Sequence, residues 1–262
     1  MCFDLDSRPP IVPIAGGALD STDLVLRASD GTSFRAFRAR ATTPIGAGIV
    51  VLPDVRGLHP YYEELALRFA ERGIDAIAID YFGRTAGDTD RGDAFEYMPH
   101  VNQLTWDGLQ ADVRAAAEHL RMQDENRVDA LFTIGFCMGG RLAFLTPTLR
   151  LGLAGAIGLY GIPVGQGRGG MPAPADVAAD IESPILGLFG GADGAIPPES
   201  IATFDDALTK AGVEHRFVSY DGAPHSFFDR KAEEFADASA AAWEETVTFV
   251  RGHTPSPVDV GG

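Results

Sequence analysis

A cysteine set between glycines is the first feature with chemical potential. In Gly135-Phe-Cys137-Met-Gly139-Gly140 the thiol has a glycine two residues away on each side, after the apolar run 129–134 and before a helical stretch at 138–145. Glycine inside a helix costs about 1 kcal/mol relative to alanine, so three glycines around one thiol need a reason. A strand that turns at once into a helix supplies one. The residue at the apex of so tight a turn sits in a sparsely populated backbone conformation, at a cost of about 1–3 kcal/mol. Side chains two positions away would collide, and Gly135 and Gly139 remove them. Gly140 lets the following helix pack close to the strands. The apex side chain then projects past the strand end, near a helix N-terminus whose partial positive charge favours a thiolate. The pattern is glycine-x-nucleophile-x-glycine, with Cys137 where serine is commoner. An inert buried cysteine is the competing reading.

Two further strand ends carry partners for that thiol. Asp193 follows the apolar run 185–189 in Gly190-Gly-Ala-Asp193, and His225 follows 216–220 in Ala223-Pro-His225-Ser-Phe227, ahead of the last helix. Singly, the aspartate reads as a turn residue and the histidine as part of a capping neighbourhood. Together with Cys137 they give the chain order nucleophile, acid, histidine, which is the order of the α/β-hydrolases. His59, after the run 47–52, reads as pocket lining, and His100, His119, His215 and His253 as solvated. No His, Cys and Asp cluster has zinc-ligand spacing, and neither a Walker pattern nor a dinucleotide fingerprint is present. No metal and no cofactor is therefore expected.

The elements that must position these groups follow from periodicity. Segments 23–28 and 33–40 alternate in polarity around Asp30-Gly31, a hairpin signal. Strands are expected at 47–52, 75–79, 129–134, 154–160, 185–189 and 216–220, and helices at 61–72, 106–122, 138–145, 198–211 and 231–251. Such alternation predicts an α/β fold with a mostly parallel central sheet and helices on both faces, whose site lies at the carboxyl ends of the strands. Residues 161–175 (GIPVGQGRGGMPAPA) read as a plain loop or a lid. The domain reading is an N-terminal arm over 1–20, one domain over 21–251 and a C-terminal tail over 252–262.

Bulk properties narrow the partners. The 262 residues are 45% hydrophobic, enough for one large core. A net charge of −16 disfavours nucleic acid and anionic lipid surfaces. The N-terminal MCFDLDSRPP lacks the apolar core of a signal peptide, and no segment approaches a 20-residue apolar span. A cytoplasmic protein, monomeric or a small homo-oligomer, is the expectation. Two cysteines, Cys2 and Cys137, are too few for a disulfide framework.

On the motifs at 135–140, 190–193 and 223–227 the chain resembles the dienelactone hydrolase (carboxymethylenebutenolidase) family, over about 21–251. The resemblance implies an α/β-hydrolase fold, a Cys137, His225 and Asp193 triad, and hydrolysis of an ester or lactone of a small carboxylate-bearing substrate. It also implies oxyanion donors at the backbone of Met138 and Val55. The family's carboxylate near the resting thiol corresponds to Asp54, one methylene shorter than the usual glutamate. Of the family's substrate arginines, Arg84 in Asp80-Tyr-Phe-Gly-Arg84 matches the first. The second position holds Asp229, with Arg230 one residue later, about 100° around a helix. Arg56 and Arg141 are substitutes whose bland reading is surface charge. Three alternatives stand beside a dienelactone specialist: a broader carboxylesterase or thioesterase with the same triad, a non-catalytic binding protein on the same fold, and a redox thiol protein with Cys2 as resolving cysteine.

Overall fold

The computed structural model describes residues 7–255 except 90, 93, 123–126 and 230. Cys2, Arg230 and the residues from 256 onward therefore lie outside the described residues. Eight strands form one sheet in the order β1-β2-β4-β3-β5-β6-β7-β8. They are β1 (Ala18–Arg27), β2 (Ser33–Ala41), β3 (Ala47–Leu52), β4 (Ile74–Ile79), β5 (Ala130–Phe136), β6 (Gly155–Leu159), β7 (Ile185–Gly190) and β8 (His215–Tyr220). The hairpin β1–β2 is antiparallel and joins β4 antiparallel; every pairing from β4 to β8 is parallel. The helices are α1 (Pro60–Ala70), α2 (Gly83–Ala86), α3 (Tyr97–Val101), α4 (Trp106–Arg121), α5 (Met138–Leu145), α6 (Pro198–Ala211) and α7 (Ala236–Gly252).

The central strands are apolar throughout because both faces are covered. On β3, Ile49 and Val51 pack with α1 and α7, while Val50 and Leu52 pack with α4. That is the period-two alternation of a strand, distributed between two cores. Helix α4 begins where Thr105 caps it, its hydroxyl accepting from Gly108 N–H at 3.2 Å. Helix α6 ends at Gly212, which takes the left-handed conformation (φ 72°) suited to glycine.

Some boundaries differ from expectation for visible reasons. Strand β1 starts at Ala18, five residues before the alternation does, because backbone pairing with β2 continues past the apolar pattern. The segment before it lies along α1: Arg8 pairs with Glu64 at 2.9 Å, Ile14 N–H donates to Glu71 Oε2, and Ile11 joins the core. The last helix starts at Ala236 instead of 231, since residues 231–235 form isolated turns. Helices α2 and α3, four and five residues long, carry no periodic signal. Residues 168–170 and 174–180 of the segment after β6 form short 3₁₀ turns.

Candidate active site

Cys137 stands between β5 and α5 with φ 55° and ψ −111°, outside the regions open to most L-residues. Steric contacts explain why the turn can exist. A Cβ on Gly135 would sit 1.9 Å from the carbonyl oxygen of Gly139, and one on Gly139 would sit 2.1 Å from that of Leu52. A Cβ on Gly140 would meet Leu159 O at 2.5 Å, so this glycine lets α5 approach β6. The strain is held by hydrogen bonds: Cys137 N–H donates to Leu159 O at 3.0 Å, and its carbonyl accepts from Arg141 N–H at 3.1 Å. The cysteine is half-buried, neither shut in the core nor free on the surface.

Beyond β7 and β8 the acid and imidazole meet. His225 Nδ1 and Asp193 Oδ2 are 2.7 Å apart, and the carboxylate is almost wholly buried. Its other oxygen accepts Ala195 N–H at 2.9 Å. Their loops are tied by backbone: Ala192 N–H donates to Ala223 O at 2.9 Å and Gly191 N–H to Tyr220 O at 2.8 Å. The ring of Tyr160, which follows β6, lies 5.0 Å from the His225 ring, centroid to centroid. Tyr160 also packs against Phe136, the residue before Cys137. The thiol follows β5 and the imidazole follows β8, with β6 and β7 between them on the same carboxyl edge of the sheet, and the Tyr160 ring links the two neighbourhoods.

A cavity of about 290 Å³ opens beside the thiol. Val55, Cys137, Met138, Arg141, Ile162, Val164 and Met171 are in its wall. Both residues expected to supply oxyanion donors are therefore at the cavity. Asp54 is not in that wall. It is fully buried, and its Oδ1 accepts Arg56 N–H at 2.9 Å while its own N–H donates to Tyr62 Oη at 3.0 Å. Tyr81 donates to Pro53 O at 2.8 Å. Burial, reinforced by Asp54, Asp80 and Cys137, pushes that phenol well above its ordinary value, so it stays a neutral donor.

Arg84, expected near a substrate carboxylate, is occupied elsewhere. Its guanidinium binds Asp30 of the β1–β2 turn, the hydroxyl of Thr32 at 2.7 Å and Asp112 of α4 at 2.7 Å. It is not among the described residues that line the cavity. His59, expected as pocket lining, is instead buried at the start of α1. Burial, with Arg56 and Arg91 nearby, lowers its pKa to about 4. His100, expected in solvent, stacks on Phe95 at 5.0 Å and bonds the hydroxyl of Thr85. Among the described residues no group of three His, Cys, Asp or Glu could hold a metal ion.

Arg56 and Arg141 are both buried, not surface charge. For Arg141 the sequence carries a sign of this. The available signal was an arginine one helical turn past the cysteine in MGGRLAFL, a helix with no other charged residue. Tyr160, at the end of β6, donates its hydroxyl to buried Asp229 at 2.9 Å, a contact across 69 residues that no local pattern marks.

Known proteins resemble this chain in both architecture and sequence. The model of the dienelactone hydrolase family matches residues 34–254. The chain belongs to the dienelactone hydrolase family. A carboxymethylenebutenolidase of Rhodococcus opacus is 31% identical over 261 residues, covering 95% of this chain and 96% of the relative. The crystal structure of a dienelactone hydrolase-like promiscuous phosphotriesterase from metagenomic libraries superposes with a TM-score of 0.75, at 22% identity, over 91% of this chain and all of that one. At that identity the second likeness speaks for the fold alone, which is the α/β-hydrolase fold. The protein is a carboxylic ester hydrolase of the dienelactone hydrolase type. No described helix is long and apolar enough to cross a membrane.

Proposed function

We propose that this hydrolase cleaves an ester or lactone bond of a small substrate through an acyl-enzyme formed on Cys137. The sulfur attacks the carbonyl carbon, forming a C–S bond and an oxyanion, while His225 takes the thiol proton. The backbone N–H groups of Met138 and Val55 receive the oxyanion; Met138, first in its helix, has no intrahelical acceptor for its own. Losing one such donor costs about 10²–10³ in rate in comparable sites. The C–O bond then breaks and His225 returns the proton to the leaving oxygen. Water, deprotonated by the same imidazole, attacks the thioester, the C–S bond breaks, and the thiol recovers its proton with release of the acid. Asp193 orients the imidazole and stabilises its charged form.

The observation that supports this most is the ordered Asp193–His225 pair on the sheet edge where a strained Cys137 faces a cavity. In this reading Asp54 is a positioning residue: by accepting Arg56 N–H it shapes the turn that aims Val55. Iodoacetamide should abolish hydrolysis of an activated ester in step with alkylation of Cys137. Full activity in Cys137→Ala would end the proposal.

A second reading, a carboxylesterase of wider range with the same triad, is favoured by the engagement of Arg84 with Asp30 and Asp112 and by a cavity wall that is mostly apolar, with Gln166 and Arg168 as its other polar members beside Arg141. A panel of lactones, neutral esters and carboxylate-bearing esters separates the two. A dienelactone specialist prefers the charged lactones, the broader enzyme the neutral esters.

A further inference from the structure

The loop that follows β6 forms the outer wall of the cavity, and one buried side chain grips it. The two terminal nitrogens of Arg141 are both occupied by backbone carbonyls. Nη1 donates to Ile162 O at 3.1 Å and Val164 O at 3.0 Å, and Nη2 donates to Gly165 O and to Pro172 O at 2.7 Å. These four acceptors lie at both ends of the segment 162–172, so one planar cation closes the loop across its base. The loop adds its own ties: Gly167 N–H donates to Met171 O at 2.9 Å, Ala175 N–H to Pro163 O at 3.0 Å, and Arg168 to Asn102 Oδ1 at 2.6 Å.

The grip is tight on every side. Arg141 is 7% exposed. A Cβ on Gly167 would fall 2.8 Å from its Nε, and one on Gly161 would fall 2.4 Å from its backbone nitrogen. Burial lowers its pKa, with Asp176 opposing, yet a guanidinium stays charged. Four carbonyl dipoles, not a contacting carboxylate, supply its hydrogen bonds. Only a fork of five fixed N–H groups can span four carbonyls in this way; an ammonium has three donors on one atom. The same residue is anchored one helical turn from Cys137, because its N–H bonds the cysteine carbonyl. Nucleophile and wall therefore share one rigid element.

We propose that Arg141 is the positioning residue of the substrate cavity: by clamping segment 162–172 it holds Ile162, Val164 and Met171 as an apolar wall that limits the size of the group accepted beside Cys137. The loop is thus a fixed wall and not a swinging lid, and the cavity, about 290 Å³, lies at the small end of ligand sites. This rests on Cys137 being the nucleophile, and it extends that reading to specificity.

The test compares wild type with Arg141→Lys and with Gly167→Ala. The second change leaves α5 untouched and meets no backbone atom, and its φ of −82° suits alanine. Its Cβ presses on the guanidinium, 2.8 Å from Nε, and on the Cβ of Met171 at 2.9 Å, so it loosens the wall from the loop side while Arg141→Lys loosens it from the helix side. Initial rates on p-nitrophenyl acetate, butyrate and octanoate are measured beside hydrogen exchange of 162–172 and alkylation of Cys137 by iodoacetamide and by a bulky maleimide. The expected result is faster exchange confined to that segment and a preference for acetate over octanoate that falls by at least about tenfold. KM should carry the change more than kcat, and the maleimide should gain on iodoacetamide. Wild-type exchange together with wild-type chain-length preference in both variants would overturn the proposal. So would an equal loss of kcat on all three esters with exchange unchanged. If Cys137→Ala remained active, the reading of the nucleophile would fail separately, and exchange and thiol access would still decide the clamp.

Discussion

Replacing Asp193 by asparagine isolates what the acid does, because the structure dictates how the amide must sit. Oδ1 of Asp193 accepts Ala195 N–H at 2.9 Å, and Oδ2 faces His225 Nδ1 at 2.7 Å. In Asp193→Asn the amide oxygen must keep the Ala195 N–H; reversing it would set two donors face to face in a buried site, at about 1–3 kcal/mol. The amide NH2 is then directed at Nδ1. That nitrogen must become an acceptor, so the proton moves to Nε2, and the imidazole can no longer take the thiol proton. A general base is worth about 10²–10⁴ in rate, and a tautomer inverted in this manner cost about 10⁴-fold in a serine triad. The expected loss of kcat/KM on an activated ester is thus about 10³-fold or more, with the fold intact by circular dichroism. NMR of nitrogen-labelled histidine should show the proton on Nε2 of His225. Near wild-type kcat/KM in a folded variant that carries the inverted tautomer would refute the reasoning.

Two further predictions concern stability. Arg84→Met removes the partner of Asp112, whose side chain is 2% exposed and whose pKa burial already raises to about 7. The carboxyl then takes a proton and is left without its hydrogen bonds, which should cost about 1–3 kcal/mol in urea unfolding. Adding Asp112→Leu should restore most of that loss; a single variant as stable as wild type would show that the pair holds nothing. His59, depressed from 6.5 to about 4, stays neutral when the unfolded chain takes up a proton, so its contribution is complete above pH 6.5 and fades as pH falls toward 4. Unfolding free energies of wild type should therefore decline more steeply over that window than those of His59→Asn, by at most about 1.4 kcal/mol per pH unit; parallel curves would remove His59 as the cause.

Much of this could be read before any coordinates, and the reason is the range of the forces involved. Whether 47–52 is a strand or 198–211 a helix depends on apolar spacing within one segment, and both limits match what is observed. The bend at Cys137 is equally local: it depends on contacts among Gly135, Gly139 and their nearest strands. The chain order of Cys137, Asp193 and His225 follows from which residues trail β5, β7 and β8. Contacts between distant segments are another matter. Nothing near Arg84 in the chain announces that Asp30, 54 residues earlier, and Asp112, 28 later, would take its charge. Nothing around Arg141 names the carbonyls 21 to 31 residues onward that it binds. The sequence alone determined the layered α/β architecture, the sharp bend under the thiol and the strand ends that bear the acid and the imidazole, because period and sterics act over a few residues. Only the tertiary structure decided where each buried arginine spends its hydrogen bonds and what walls the cavity, because a desolvated cation takes whichever oxygens the completed packing brings within reach.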